Sequence, residues 1–142
     1  MNQSIEVPAN HAGVLRLIAF ADQVEQRDQL SFEQSYMLRL VIEEIGTNIV
    51  KYGYPQETPG VIQLQCVYDN RLLRVIIRDR GCPFDPRAHP DPDMSAEIAT
   101  RPIGGLGLFL VRESVDELQY HHDPASGWNE LVASKREAAT DV

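Results

Sequence analysis

Two cysteines, Cys66 and Cys82, are all that the sequence offers for sulfur chemistry. Two thiols so far apart make neither a disulfide framework nor a complete zinc site. The four histidines, His11, His89, His121 and His122, have no partner at metal-ligand spacing, so structural zinc is not expected. No apolar run approaches the ~18 residues of a membrane span. The opening Met1-Asn2-Gln3-Ser4-Ile5-Glu6 lacks the basic start and apolar stretch of a signal peptide, so a cytoplasmic chain is expected. Cations are scarce. Thirteen Lys+Arg against twenty-one Asp+Glu leave a net charge of −8 and a pI near 4.9. That balance argues against holding nucleic acid or an anionic membrane by bulk charge, and neither is expected as a partner. Internal repeats and low-complexity tracts are missing. So are GxGxxG and GxxxxGK[ST], which leaves a Rossmann or P-loop reading without support.

What remains is an ordinary globular composition, 43% apolar over 142 residues. That is enough chain for one domain with a real core. A single domain over 1–142 is expected, with a polar tail fraying after about residue 135. Residues 4–7 fit a short edge strand. Asn10 can cap a helix whose apolar positions are Val14, Leu17, Ile18, Ala21 and Val24. A polar break is expected at Gln26-Arg27-Asp28. Ser31 and Gln34 then form a capping-box pattern for a longer helix carrying Phe32, Met37, Leu40, Val41, Ile45, Ile49 and Tyr52. Gly53 ends it and Pro55 forbids a restart.

The period then falls to two. Ile62, Leu64, Cys66 and Tyr68 alternate along one strand, Asp69-Asn70 reads as a hairpin turn, and Leu73, Val75, Ile77 and Asp79 follow on the next. The opposite set there carries Arg74 and Arg78, so the first set is expected to face the core, with Asp79 at its end. Over 80–102 the pattern fails. Pro83, Pro86, Pro90 and Pro92 fall in a loop whose length suggests function. Gly104-Gly105-Leu106-Gly107 then opens a helix with Leu108, Leu110, Val111 and Val115, and a hairpin follows over 117–122 and 128–134. The order β-α-α-β-β-loop-α-β-β predicts an α+β two-layer sandwich, a mostly antiparallel sheet with helices on one face.

Three places carry chemistry. Glu44 and Asn48 lie one turn apart on one helix face. An Asn oxygen suits Mg²⁺, and a carboxylate one turn away can orient or deprotonate a nucleophile. An exposed polar face reads equally from that spacing. Asp79-Arg80-Gly81 places a carboxylate and a glycine at a strand end, where it can accept from an amino group or simply turn the chain. The glycine run at a helix start favours phosphate through amides and dipole, or serves as a hinge.

Taken in that order, the three form a nucleotide site, and they resemble a known pattern. Glu44-x-x-x-Asn48, Asp79-x-Gly81 and Gly105-x-Gly107 look like the N, G1 and G2 boxes of the GHKL ATPase superfamily. The stretches EEIGTNIVKYGYP, DRGCPFDP, GGLGLFLVRESVDEL and GWNEL resemble the anti-sigma factor serine kinases of the RsbW/SpoIIAB type, over roughly residues 5–135. The resemblance implies the Bergerat fold, with ATP and Mg²⁺ as cofactors. It implies Glu44 as general base, Asn48 as Mg²⁺ ligand, and Asp79 with Gly81 at the adenine. Gly104, Gly105, Leu106, Gly107 and Leu108 would lie at the phosphates, and 82–103 would form a lid. Lys51 can face the phosphates or suit the helix dipole. Arg101, a further nucleotide contact by resemblance, stands farther from the glycines than the basic residue of the best-known members.

The implied activity is phosphorylation of a serine on an anti-anti-sigma partner of STAS type, with sequestration of a sigma factor or another regulator. Homodimers are common in the family, and the first helix with its preceding strand is the expected dimer surface. A non-catalytic ATP-binding scaffold is the alternative, although a pure scaffold has no need of the Glu44 carboxylate. A two-component kinase domain is a further reading, but no phospho-accepting histidine helix is evident. Cys82 is expected to be small and buried, Trp128 to pack on the sheet, and His121 and His122 to be surface strand residues.

Overall fold

The structure is a computed structural model that describes residues 1–55, 60–88 and 105–139. Strand β1 (Asn2–Pro8) is followed by helices α1 (His11–Asp28) and α2 (Phe32–Asn48) and a π-helical turn (Ile49–Gly53). Strands β2 (Val61–Asp69) and β3 (Leu72–Asp79) follow, then a 3-10 turn (Pro86–Ala88), helix α3 (Gly105–Ser114), and strands β4 (Glu117–His122) and β5 (Asn129–Arg136). The sheet order is β1-β2-β3-β5-β4, and every pairing is antiparallel. The two-layer α+β sandwich expected from the element order is the one observed.

Capping chemistry sets the helix starts. Asn10 accepts from the Gly13 amide at 2.7 Å, and Ser31 and Gln34 exchange reciprocal bonds at 3.2 Å each. Each such cap contributes about 1 kcal/mol. Gln34 does more than close the box. It is fully buried, and its Nε2 donates to the Arg71 and Lys135 carbonyls at 3.0 and 2.9 Å. The start of α2 is thereby tied to the turn that opens β3 and to the end of β5. Helix α1 does not break at Gln26 but runs to Asp28 and closes on Gln29 in a left-handed conformation. Its outer side meets α2 where Arg39 reaches Asp22 and, at 2.7 Å, Glu25. Half-exposed pairs of this kind are worth ~0–1 kcal/mol.

The core lies between the helices and one sheet face. Leu17, Val24, Met37, Leu38, Val41 and Ile42 meet Ile62, Leu64, Leu73, Val75 and Ile77, all essentially without solvent exposure. Burying each such side chain contributes ~1.5–3 kcal/mol. Leu38 and Ile42 belong to this stripe, whereas Phe32 (81% exposed) and Tyr52 (72% exposed) do not, so the apolar face of α2 is rotated from the expected one. The other sheet face is a polar ladder, with Gln63 on Glu6, Gln65 on Asn2, and Arg78 on both Gln65 and Glu130.

The β2–β3 turn is centred one residue later than expected. Asn70 and Arg71 both have positive φ, the pattern of a tight type I′ turn. The expected fraying point at 135 is also too early. Strand β5 continues to Arg136, and Glu137 still bonds the Arg71 carbonyl through its amide. Among the described residues, no helix is long and apolar enough to cross a membrane.

Candidate functional site

The C-terminal end of α2, the π turn, the end of β3 and the start of α3 surround one open cavity of about 970 Å³. Glu44, Asn48 and Lys51 line it from the helix side, and Asp79 and Asn129 from the sheet. Ile49, Ile77, Leu108 and Leu131 supply apolar wall. Sequence-distant residues meet here because the end of β3 pairs with the start of β5, bringing Asp79 and Asn129 to the cavity that the last turn of α2 lines.

Asp79 is the last residue of β3 and is buried. Its position on the core face follows from the period-two pattern of β3. Its Oδ2 accepts from the Gly81 amide at 2.8 Å and from Asn129 Nδ2 at 3.2 Å. Both of its hydrogen bonds among the described residues fall on that oxygen, which leaves Oδ1 for a ligand's donor. Burial pushes its carboxyl above the usual range, while the two hydrogen bonds and the nearby His122 pull the other way.

The backbone beside it is close-packed. A Cβ on Gly81 would stand 2.5 Å from the Gly53 carbonyl oxygen, which accepts from the Cys82 amide. A side chain at 81 would force two backbone segments apart. Tyr54 locks the same corner, its hydroxyl donating to the Val61 carbonyl at 3.0 Å and accepting from the Arg80 amide at 2.7 Å.

At the other end, Glu44 lies against α3. A Cβ on Gly107 would overlap the Glu44 carboxylate, so only glycine lets the helix start approach it this closely. Burial and then the neighbouring Glu43 push the Glu44 carboxyl up, and Lys51 opposes them. A carboxylate raised in this way, beside a helix start in a cleft, fits a proton acceptor better than a solvated surface group. Leu106 is 41% exposed beside it, while Leu108 is buried. The donor set fits a Mg²⁺–nucleotide pair. Mg²⁺ commonly takes few protein ligands and completes its shell with phosphate and water, so one amide oxygen from Asn48 is enough. Among the described residues, no group of three or more His, Cys, Asp and Glu side chains could form a metal cage.

Residues 7–135 match the family model described as a histidine kinase-like ATPase domain. The chain belongs to that family. This ATPase domain is also similar to the serine-protein kinase RsbW of Bacillus cereus (strain AH820), at 28% identity over 127 residues, covering 87% of this chain and 78% of the relative. The same protein of Bacillus anthracis (strain A0248) matches at 28% and that of Bacillus thuringiensis (strain Al Hakam) at 27%, with the same coverage. The likeness to RsbW-type GHKL kinases read from the three boxes therefore holds.

The ATPase domain brings Glu44, Asn48, Lys51, Asp79, Gly81, Gly105, Gly107 and Leu108 to one region. Arg101, Gly104 and the 89–103 part of the lid expected over 82–103 lie outside the described residues. Two smaller expectations are corrected. Cys82 is exposed and lines the cavity, because the chain has already left the sheet at Gly81. His122 is not a plain surface residue; its Nδ1 lies 2.7 Å from Asn129 Oδ1 on the site face. Trp128 also lies under Arg80, whose guanidinium carbon sits 5.4 Å from the ring centre.

Asn129 is the residue that sequence reasoning missed. It sits within GWNEL, but nothing in that stretch alone shows that β5 starts opposite the end of β3. Tyr120 was missed as well. Its hydroxyl donates to Asn129 Oδ1 at 3.1 Å and accepts from the Phe84 amide at 3.2 Å, joining the site to the root of the long loop.

Proposed function

We propose that the chain is an ATP-dependent protein-serine kinase acting as an anti-sigma regulatory factor in the cytoplasm. It would phosphorylate a STAS-type anti-anti-sigma partner and hold a sigma factor, or another regulator, when that partner is absent. The chain is read as one such domain, working as a homodimer. The observation that carries the reading is the single cavity in which Glu44, Asn48 and Asp79 meet the glycine start of α3. The likeness to kinases named RsbW supplies the protein-serine acceptor.

Asp79 would accept the adenine amino group on Oδ1, with Gly81 letting the flat base lie against backbone. Gly104, Gly105 and Gly107 would let α3 amides approach the phosphates, with Leu106 and Leu108 flanking them. Lys51 and Arg101 would add positive charge there. Asn48 would hold Mg²⁺, which neutralises phosphate charge when bound. Glu44 would orient the partner's serine and take its hydroxyl proton. The serine oxygen bonds to the γ-phosphorus, the bond between that phosphorus and the β,γ-bridging oxygen breaks, and ADP leaves.

The test is thermal unfolding with ATP, ADP and GTP, with and without Mg²⁺, followed by transfer of labelled phosphate to purified STAS-type proteins. At ~100 times the dissociation constant, a ligand adds ~2.7 kcal/mol. The expected result is a shift of several degrees with adenine nucleotides only, strengthened by Mg²⁺, and an acid-stable phosphoserine on one partner. No shift at millimolar ATP would overturn the reading. ATP binding without transfer to any STAS-type protein would reduce it to a nucleotide-dependent scaffold.

A further inference from the structure

Asp79, Asn129 and His122 stand in one row across β3, β5 and β4, because the register pairs Asp79 with Asn129 and His122 with Asn129. Directly opposed residues share a sheet face, so all three side chains look toward the cavity side. The Asn129 amide has one workable orientation. Its Nδ2 donates to Asp79 Oδ2 and, at 3.0 Å, to the Gly81 carbonyl, and its Oδ1 accepts from the Tyr120 hydroxyl. A flipped amide would set oxygen against a carboxylate and a carbonyl.

With Oδ1 fixed as acceptor, the 2.7 Å contact to His122 Nδ1 requires a proton on that nitrogen. A neutral ring protonated on Nε2 would oppose two lone pairs. The row therefore holds the ring as a donor, whether neutral or charged.

We propose that His122 is a positioning residue for nucleotide recognition: through the Asn129 amide and its own charge, it holds the Asp79 carboxylate aimed at the base. This rests on the reading of Asp79 as the base-recognising carboxylate. Burial raises the Asp79 carboxyl, and the His122 charge is among the influences that lower it.

Other titratable groups surround the row. Tyr120 stands on β4, Tyr54 beyond the π turn, Cys82 and Asp85 on the loop after β3, and Glu44 and Lys51 line the same cavity. The two phenols are pushed above their usual range, chiefly by burial, and stay neutral. Asp85 is held ionised by Arg87. Glu44, itself raised by burial, belongs to the phosphate end. Histidine as a residue type changes charge near neutrality, which is the range the test must cover.

The test compares wild type with His122→Gln, which can keep a donor but never carries a charge. ATP affinity is measured calorimetrically from about pH 8.5 to about pH 5.5, a span that covers histidine titration. The ligand's own titration is common to both proteins and cancels in the comparison. An ionised Asp79 accepts the amino group and a protonated one does not. Without the imidazolium its carboxyl rises, so the acid loss of affinity should begin at higher pH in the variant. The expected gap favours the wild type, opening to a few-fold toward the acid end and closing at the alkaline end.

Coincident profiles would overturn the inference and leave the nucleotide reading standing, as would a parallel weakening at every pH. No ATP binding by the wild type would overturn both. Nitrogen NMR of the ligand-free wild type gives an independent readout. The neutral His122 ring should carry its proton on Nδ1, and an Nε2–H tautomer would overturn the inference.

Discussion

At the proposed base end of the cavity, Asp79, Asn129, Tyr120 and His122 are joined by hydrogen bonds between strands whose register places them. At the proposed phosphate end, Glu44, Asn48 and Lys51 line the cavity from the end of α2 and the π turn. Among the described residues, no side-chain hydrogen bond ties any of these three; Glu44 simply abuts Gly107. The first end has its side-chain ordering cost met during folding, which favours discrimination between ligands. The second end carries Glu44 and Lys51 on long side chains that would rearrange around an entering phosphate, which suits a step that opens and closes. Recognition and transfer should therefore separate under mutation.

The largest separation is expected from Glu44→Gln. Phosphate transfer should fall by ~10²–10⁴-fold, the usual contribution of a positioned acid–base group, while ATP affinity stays near wild type. Single-turnover transfer and calorimetry read the two quantities; an equal loss of binding would erase the division. Gly107→Ala comes next. Its Cβ displaces the flexible end of Glu44 rather than backbone, so the melting temperature should hardly move while transfer drops by roughly a hundredfold through misplacement.

Asp79→Asn should act at the other end, weakening ATP by roughly ten- to a hundred-fold through loss of a charged hydrogen bond. Its effect on stability has the opposite sign. A carboxyl raised on folding binds protons more readily in the native state, so its ionised form costs stability as pH rises. The Asp79→Asn variant should therefore melt higher than wild type, most clearly above neutral pH. A lower melting temperature at that pH would show that the two hydrogen bonds outweigh the buried charge.

The smallest effect concerns the thiols. Cys66 is buried and its thiol is pushed up to about 12, whereas Cys82 is exposed at the cavity mouth. A thiol reagent should modify Cys82 rapidly and Cys66 only on unfolding, and ATP should slow the Cys82 reaction. Equal rates, or no protection, would detach Cys82 from the base end.

Much of the architecture was legible because its signals are local. Capping at Asn10 and Ser31, the change of period after Gly53, and the parity that buried Asp79 each depend on nearest neighbours. Misplaced details arose where neighbours do not decide. The apolar stripe of α2 was drawn through Phe32 and Tyr52, but the sheet beneath selects Leu38 and Ile42. Gln34 reads as a capping residue, and only the fold reveals its second task of holding the start of β3 and the end of β5.

The sequence by itself determined the helices, the strands and their order, and the three short motifs on which the proposed nucleotide chemistry rests, since capping, periodicity and glycine spacing act within a few residues. Tertiary structure alone decided that β5 lies between β3 and β4, and hence that Asn129 stands between Asp79 and His122. It also decided that Cys82 is exposed and that Glu44 rests on Gly107. Those relations join residues tens of positions apart, and they exist only once strand register and helix docking have brought the segments together.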